Sequence, residues 1–364
     1  MILLPRLPGA LLALAALALP PAGWAQSLVW KNGMTFYVDN TEFFNPYRTG
    51  ETVLGGQIQS YIQAGLGPRT SVVAGIFGNH LSGGDRFFDS FKPILGFRYQ
   101  TQSSLGAIGT LVTQDRHGYL EPLQGRLLEL TRPIEYGGQW REDRGWGGGE
   151  VYLNWRRLNT HSRREMFDYG LLLHAQPARF LRLEFQGHGV HRGGQLFEAG
   201  ESVANNHVAA VGAQVFGTLP VAGASSVALF RMASHGGTGP SRPSGTPDHG
   251  HGTYLRLAAT PGGWLELFVI QWWGRDFLSD DGDHSYNSQG SDSTYYRSSR
   301  RYQEFGVLRR TAIESGLTLD TELRFHRFDN LRSIAIGTSR WEYSYRLVVR
   351  APFDISLRKA EPQP

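Results

Sequence analysis

The sequence predicts an all-β fold: a transmembrane, antiparallel, up-and-down β-barrel of about sixteen strands. Three observations carry this reading. Apolar and polar residues alternate with a period of two along most of the chain. Beyond the N-terminal run, no segment approaches the roughly 20 consecutive apolar residues that a membrane helix needs. The joints between strands alternate between short turns and longer polar loops, as they do when strands cross a membrane and return.

The 364-residue chain opens with MILLPRLPGALLALAALALPPAGWAQS. Arg6, the apolar stretch from Leu7 to Leu19, the breakers Pro20 and Pro21, and small Gly23 and Ala25 around Trp24 predict a signal peptide over 1–25, cleaved before Gln26. The mature part then works outside the cytoplasm. There are no cysteines, and the formal charge of the whole chain is only +4. Lysine occurs only at Lys31, Lys92 and Lys359, and no basic run suggests a nucleic-acid partner.

In order, the strands are read at approximately 34–44, 50–64, 69–80, 91–101, 104–114, 126–140, 149–160 and 164–175, then 178–191, 205–217, 222–234, 250–260, 263–276, 299–311, 315–328 and 338–351. In RFLRLEFQGHG, Leu181, Leu183 and Phe185 alternate with Arg182, Glu184 and Gln186. In GLTLDTELRFH, Leu317, Leu319, Leu323 and Phe325 alternate with Thr318, Asp320, Glu322, Arg324 and His326. Short turns fall at GLGP (65–68), QS (102–103), QP (176–177), TPG (260–262) and IES (313–315), the periplasmic side of a barrel. Long connections such as 81–90, 115–125, 235–250 and 277–299 then lie on the extracellular side, where 81–90, 235–250 and 277–299 are expected to gate the mouth. The stretch REDRGWGGG (141–149) is long for a periplasmic turn and marks a misplaced strand boundary.

The last strand, WEYSYRLVVRAPF (341–353), puts Trp341, Tyr343, Tyr345, Leu347, Val349, Ala351 and Phe353 on one face. It resembles the closing strand of outer-membrane β-barrel proteins, a porin-like class, with Phe353 as the terminal aromatic. That resemblance implies a barrel over 26–353 in the outer membrane of a Gram-negative bacterium. It also implies outer-membrane lipid, lipopolysaccharide and the barrel assembly machinery as partners, and a monomer or trimer. Residues 354–364, beyond the aromatic, are read as a periplasmic tail.

A barrel of this size is wide enough for water. The polar faces place Arg98, Arg156, Arg182, Arg256, Arg324, Arg346 and Arg350 in the lumen, with Asp168, Glu184, Asp320, Glu322 and Glu342. Such rows either set a field that selects anionic solutes or simply brace a wet lumen. Tyr152, Tyr254, Trp264, Trp272 and Tyr302 fall near them, and rings beside charges suit sugars. The expected function is a conduit for small hydrophilic solutes, anionic or saccharide, including polysaccharide export. No enzyme, cofactor or metal is expected.

The alternative is a plugged barrel that acts as a hydrolase or surface-binding protein. FYVDNTEFFNPYRTGE (36–51) resembles the first strands of the lipid A 3′-O-deacylase barrels, which carry an Asn-Asp pair before a Tyr-Thr-x-Gly-like turn. Here the pair reads Asp39-Asn40 and the turn Tyr47-Arg48-Thr49-Gly50, with Glu42 between them. No Gly-x-Ser-x-Gly motif accompanies the histidines. His188 and His191 point to opposite faces of their strand. Asp280, Asp281, Asp283 and His284, near Asp276, do not follow EF-hand spacing and are read as a solvated acidic loop. His235, His249 and His251 bracket a Gly/Pro/Ser-rich loop that imposes no geometry for a metal.

Overall fold

The computed structural model describes residues 26–113, 115–197, 202–237, 246–291, 295–314, 316–329 and 341–358. The expected signal peptide, half of the loop from 235 to 250 (238–245), and residues 359–364 lie outside them. The described residues form sixteen strands: β1 (Ser27–Phe44), β2 (Thr49–Gly65), β3 (Thr70–Leu81), β4 (Ser90–Gln100), β5 (Ser104–Thr110), β6 (Tyr136–Arg144), β7 (Gly147–Arg157) and β8 (Glu165–Ala178). The chain continues through β9 (Leu181–Gly193), β10 (Ala204–Leu219), β11 (Gly223–Gly236), β12 (His249–Thr260), β13 (Glu266–Arg275), β14 (Ser299–Glu314), β15 (Leu317–Phe328) and β16 (Glu342–Arg358). Each strand pairs with its sequence neighbours and β16 returns to β1, so the sheet is a closed barrel. Closure leaves no backbone edge to face hydrocarbon, the condition for a sheet to cross a membrane.

Side chains alternate about this wall as the period of two requires. Phe36, Leu95, Ile108, Val151 and Leu229 lie on the outer face, each more than half exposed. Tyr343, Tyr345, Leu347 and Phe353 point outward from β16, and Trp341 is exposed just before it. Val349 is half-buried on the same outward set. These are the surfaces that lipid covers.

The structure corrects two boundaries. The strand expected over 126–140 is β6 at 136–144, and the turn to β7 is only Gly145 and Trp146. Residues 126–135 belong instead to a connection of 111–135, which bears the short helix α1 (Leu128–Thr131). Leu130 is buried inside the barrel against Tyr37 and Val348, so its apolar run mimics a strand while packing in the lumen. The expected tail also shortens, because β16 continues past Phe353 and pairs Asp354 with Lys31 and Arg358 with Leu28.

The inside holds a second core. The described parts of the connections 111–135 and 276–298 fold inward between the walls. Leu123 from the first, with Phe277 and Tyr286 from the second, packs against Phe230, Trp272 and Tyr302 of the wall. A Cβ on Gly252 would lie 1.9 Å from the Trp272 ring, so only glycine lets that indole lie flat against β12. The connection expected to gate the mouth at 277–299 thus fills the lumen.

Candidate functional site

Most of the arginines on the polar strand faces are paired. Arg182 meets Glu184 at 2.7 Å, and Arg256 meets Glu266. Arg350 bridges Asp320 and Glu129, both at 2.6 Å. Arg324 reaches Glu322 at 2.5 Å and both Glu121 and Glu304 at 2.7 Å. Glu121 and Glu129 come from the 111–135 insert, so these arginines brace the wall and anchor the insert. Arg98 lines a cavity of about 790 Å³ with Gln59, Tyr61, Arg310, Asp320 and Arg350. Of the expected aromatics, Tyr152, Tyr254, Trp272 and Tyr302 are buried in the lumen, whereas Trp264 is 58% exposed at a periplasmic turn beneath Arg309.

The acidic loop expected to be solvated is buried. Asp281 accepts from Arg132 at 2.6 Å, from Arg156 at 2.9 Å and from His188 at 3.1 Å. Asp283 is paired with Arg48 from the β1–β2 turn and caps Ser285 N at 2.9 Å. Burial would raise the Asp283 carboxyl, but the Arg48 guanidinium and the Ser285 amide outweigh it and hold it below the usual carboxylate range. Asn206 pins the same insert through Leu278 O and Asp280 N, at 3.1 and 2.9 Å. Asp168, His188 and Asp281 offer ligand atoms within 4.8 Å of one another. Both Asp281 oxygens already accept from guanidinium groups, so this cluster is charge-balanced without a cation. In the first insert, the His117 ring stacks on Tyr152 at 3.8 Å, with one nitrogen on Glu135 at 2.7 Å and the other on Glu150. Burial lowers the tendency of His117 to hold a proton, yet the two carboxylates prevail and raise it.

One chain of hydrogen bonds has the directionality of an activated nucleophile. On adjacent strands, Tyr302 and Glu304 (β14), His326 (β15) and Ser344 (β16) all face inward. The Tyr302 hydroxyl donates to Glu304 Oε2 at 2.6 Å. Its oxygen therefore accepts from His326 Nδ1–H, also at 2.6 Å. That fixes the tautomer with Nε2 bare, and Ser344 Oγ lies 2.9 Å from Nε2 as its donor. Glu304 Oε2 is 3.8 Å from Nδ1, so the carboxylate also faces the imidazole directly. Two residues along β16, buried Arg346 is held by Asp39 at 2.5 Å and leaves its Nη2 without a partner. Ser344 is 1% exposed, and Phe43 covers the His326 ring edge-on at 4.8 Å.

The motif over 36–51 lies at this same seam. Asp39 and Thr41 face inward opposite Arg346 and Ser344, respectively. Asn40 is on the outward side, bonded to Glu42 at 3.0 Å and to Thr52. Tyr47 hydrogen-bonds Asp329 at 2.5 Å, lies under the Arg300 guanidinium and stacks on Phe328. Thr49 reaches Ser291 of the second insert at 3.1 Å. The sequence reading missed Ser344, His326 and Glu304 because they share no local motif, and only strand register brings them together.

A closed sixteen-strand wall, greasy outside and charged inside, defines an outer-membrane β-barrel. Solved structures agree in fold. OmpTdeltaL8, a loop-deletion mutant of an outer membrane protein of Vibrio cholerae, is 9% identical with a TM-score of 0.53, over 90% of this chain and 99% of that one. OccAB1 of Acinetobacter baumannii is 11% identical at 0.50, over 92% and 98%. OprD of Pseudomonas aeruginosa is 10% identical at 0.50, also over 92% and 98%. A comparison with curated proteins returned no match. A family described as lipid A 3′-O-deacylase-type matches residues 24–360, and the chain belongs to that family. This corrects the expectation that the chain is not an enzyme.

Proposed function

We propose that this barrel hydrolyses an acyl ester of lipid A, with Ser344 as nucleophile. The observation that carries the reading is the directed chain Ser344–His326–Tyr302–Glu304, in a member of a deacylase-type family. Ser344 Oγ attacks the ester carbonyl carbon while His326 Nε2 takes its proton. Tyr302 and Glu304 hold the ring and offset the charge of the imidazolium. The unpartnered Nη2 of Arg346 is the donor nearest along the strand for the developing oxyanion. His326 returns the proton to the sugar hydroxyl as it leaves, and water then cleaves the acyl-serine to release a fatty acid. Substrate reaches Ser344 when Phe43, which covers the His326 ring, lifts.

The test is incubation of the folded mature barrel with lipid A in detergent, followed by mass spectrometry. Loss of one O-linked acyl chain with the wild-type protein, and none with Ser344→Ala, is the expected result. Equal deacylation by both proteins overturns the assignment of the nucleophile. A second reading, a conduit for hydrophilic solutes, draws support from the 790 Å³ charged cavity around Arg98 and Arg350. Discrete conductance steps in a planar bilayer from the wild-type protein favour it.

A further inference from the structure

Five of the twelve histidines, His191, His207, His235, His249 and His251, lie on the outward face of four adjacent strands, β9 to β12, with His188 of β9 facing inward. All five are near the outer strand ends, where His207, His235, His249 and His251 are exposed. Strand register puts three of them in one row: His207 is directly opposite His235, and His235 is directly opposite His249. The His207 and His235 rings are 6.3 Å apart and nearly parallel. The His235 and His249 rings are 4.5 Å apart, and their Nδ1 atoms face each other at 3.1 Å.

We infer that His235 and His249 form a binding site for a borderline divalent transition metal, with Zn²⁺ as its simplest occupant. Two ring nitrogens on one zinc, each bonded at about 2.0–2.1 Å in tetrahedral geometry, stand roughly 3.3 Å apart. The observed separation reaches that value by opening a few tenths of an ångström. Neither ring pairs with a carboxylate among the described residues. The donor set is therefore neutral imidazole, which suits Zn²⁺, Ni²⁺ or Cu²⁺ rather than Ca²⁺ or Mg²⁺. The antiparallel ladder between β11 and β12 already fixes both Cα positions, so little freedom is lost on binding. Solvent supplies the remaining ligands, because the pair is exposed at the outer end of the wall. A metal there clamps β11 to β12 at the root of the connection between them. The strands, rather than the flanking loop, set the spacing of the pair.

The test uses the full mature chain folded in detergent, titrated with ZnCl₂ by calorimetry. One wild-type site is expected. His235→Asn and His249→Asn should each weaken it by at least about tenfold. His191→Asn, whose ring bonds Asn205 at 2.6 Å outside the pair, should bind as wild type does. Paramagnetic resonance of the Cu²⁺-loaded protein should count two equatorial imidazoles in the wild type and one in each of the first two variants. Heat-modifiable gel migration verifies that all variants are folded. Wild-type protein that takes up no metal, or variants that bind equally well, would falsify the site and leave only an N–H···N hydrogen bond between the two rings.

Discussion

Arg346 on the last strand donates from Nε to Asp39 on the first, at 2.5 Å, across the seam that closes the barrel. Both side chains are more than nine-tenths buried. Replacing the anion by Asp39→Asn leaves the buried guanidinium only Glu129, at 3.5 Å, as a counter-charge, a loss of up to about 3–5 kcal/mol. The variant should therefore lose its compact gel migration at a lower temperature than the wild type. The double variant Asp39→Asn/Arg346→Met should recover part of that loss. A double variant no better than the single one would show that the pair does not act as a unit.

Along the relay, Ser344→Ala and His326→Asn should each lower kcat for deacylation by about a thousandfold or more, with KM little changed. Tyr302→Phe removes the hydroxyl between His326 and Glu304 and should cost less. Its effect should fall on kcat alone, since Tyr302 positions the base and touches no substrate. An unchanged kcat in Tyr302→Phe would mean that Glu304, at 3.8 Å, orients the ring unaided.

Arg48 reaches from the first outer turn to Asp283 in the second insert. Arg48→Ala leaves a buried carboxylate unpaired, which is again about 3–5 kcal/mol unfavourable for the docked insert. Trypsin should then cut within 276–298 faster than in the wild type. Identical cleavage rates would place the anchoring elsewhere, on Asn206 or Arg300.

The two inserts should respond to pH with opposite sign. Burial would raise the Asp283 carboxyl, but Arg48 depresses it in the folded protein. Its contribution is thus complete above the free carboxylate value of about 3.9 and is lost as pH falls through the lower folded value. Burial would lower His117, but Glu135 and Glu150 raise it. Its contribution is complete below the free value of about 6.5 and is lost as pH rises through the higher folded value. Hydrogen exchange read by peptide should show 276–298 loosening in acid and 111–135 loosening in alkali. Loosening of both at the same end of the scale would contradict this assignment.

The wall was legible because period-two alternation survives wherever one face meets lipid and the other meets charge. Where apolar residues meet neither, the pattern misleads: Leu127 and Leu130 read as strand yet pack against Tyr37, Val348 and their neighbours inside. The extension of β16 left a trace, since Ile355 and Leu357 continue the outward apolar set beyond Phe353. The relay left none. Ser344 and His326 are eighteen positions apart and meet only because β15 and β16 pair in one particular register. His235 and His249 were visible as residues, but their opposition depends on the same kind of alignment.

The closed seam has a consequence for when the protein becomes competent. Tyr302, Glu304, His326 and Ser344 sit on three consecutive strands, so the base and nucleophile can meet as soon as that C-terminal sheet forms. Arg346, by contrast, gains its Asp39 tether only when the final strand docks onto the first. If Ser344 is the nucleophile proposed above, activity is tied to completed insertion: a half-assembled barrel carries Ser344 and His326 but not the tethered cation.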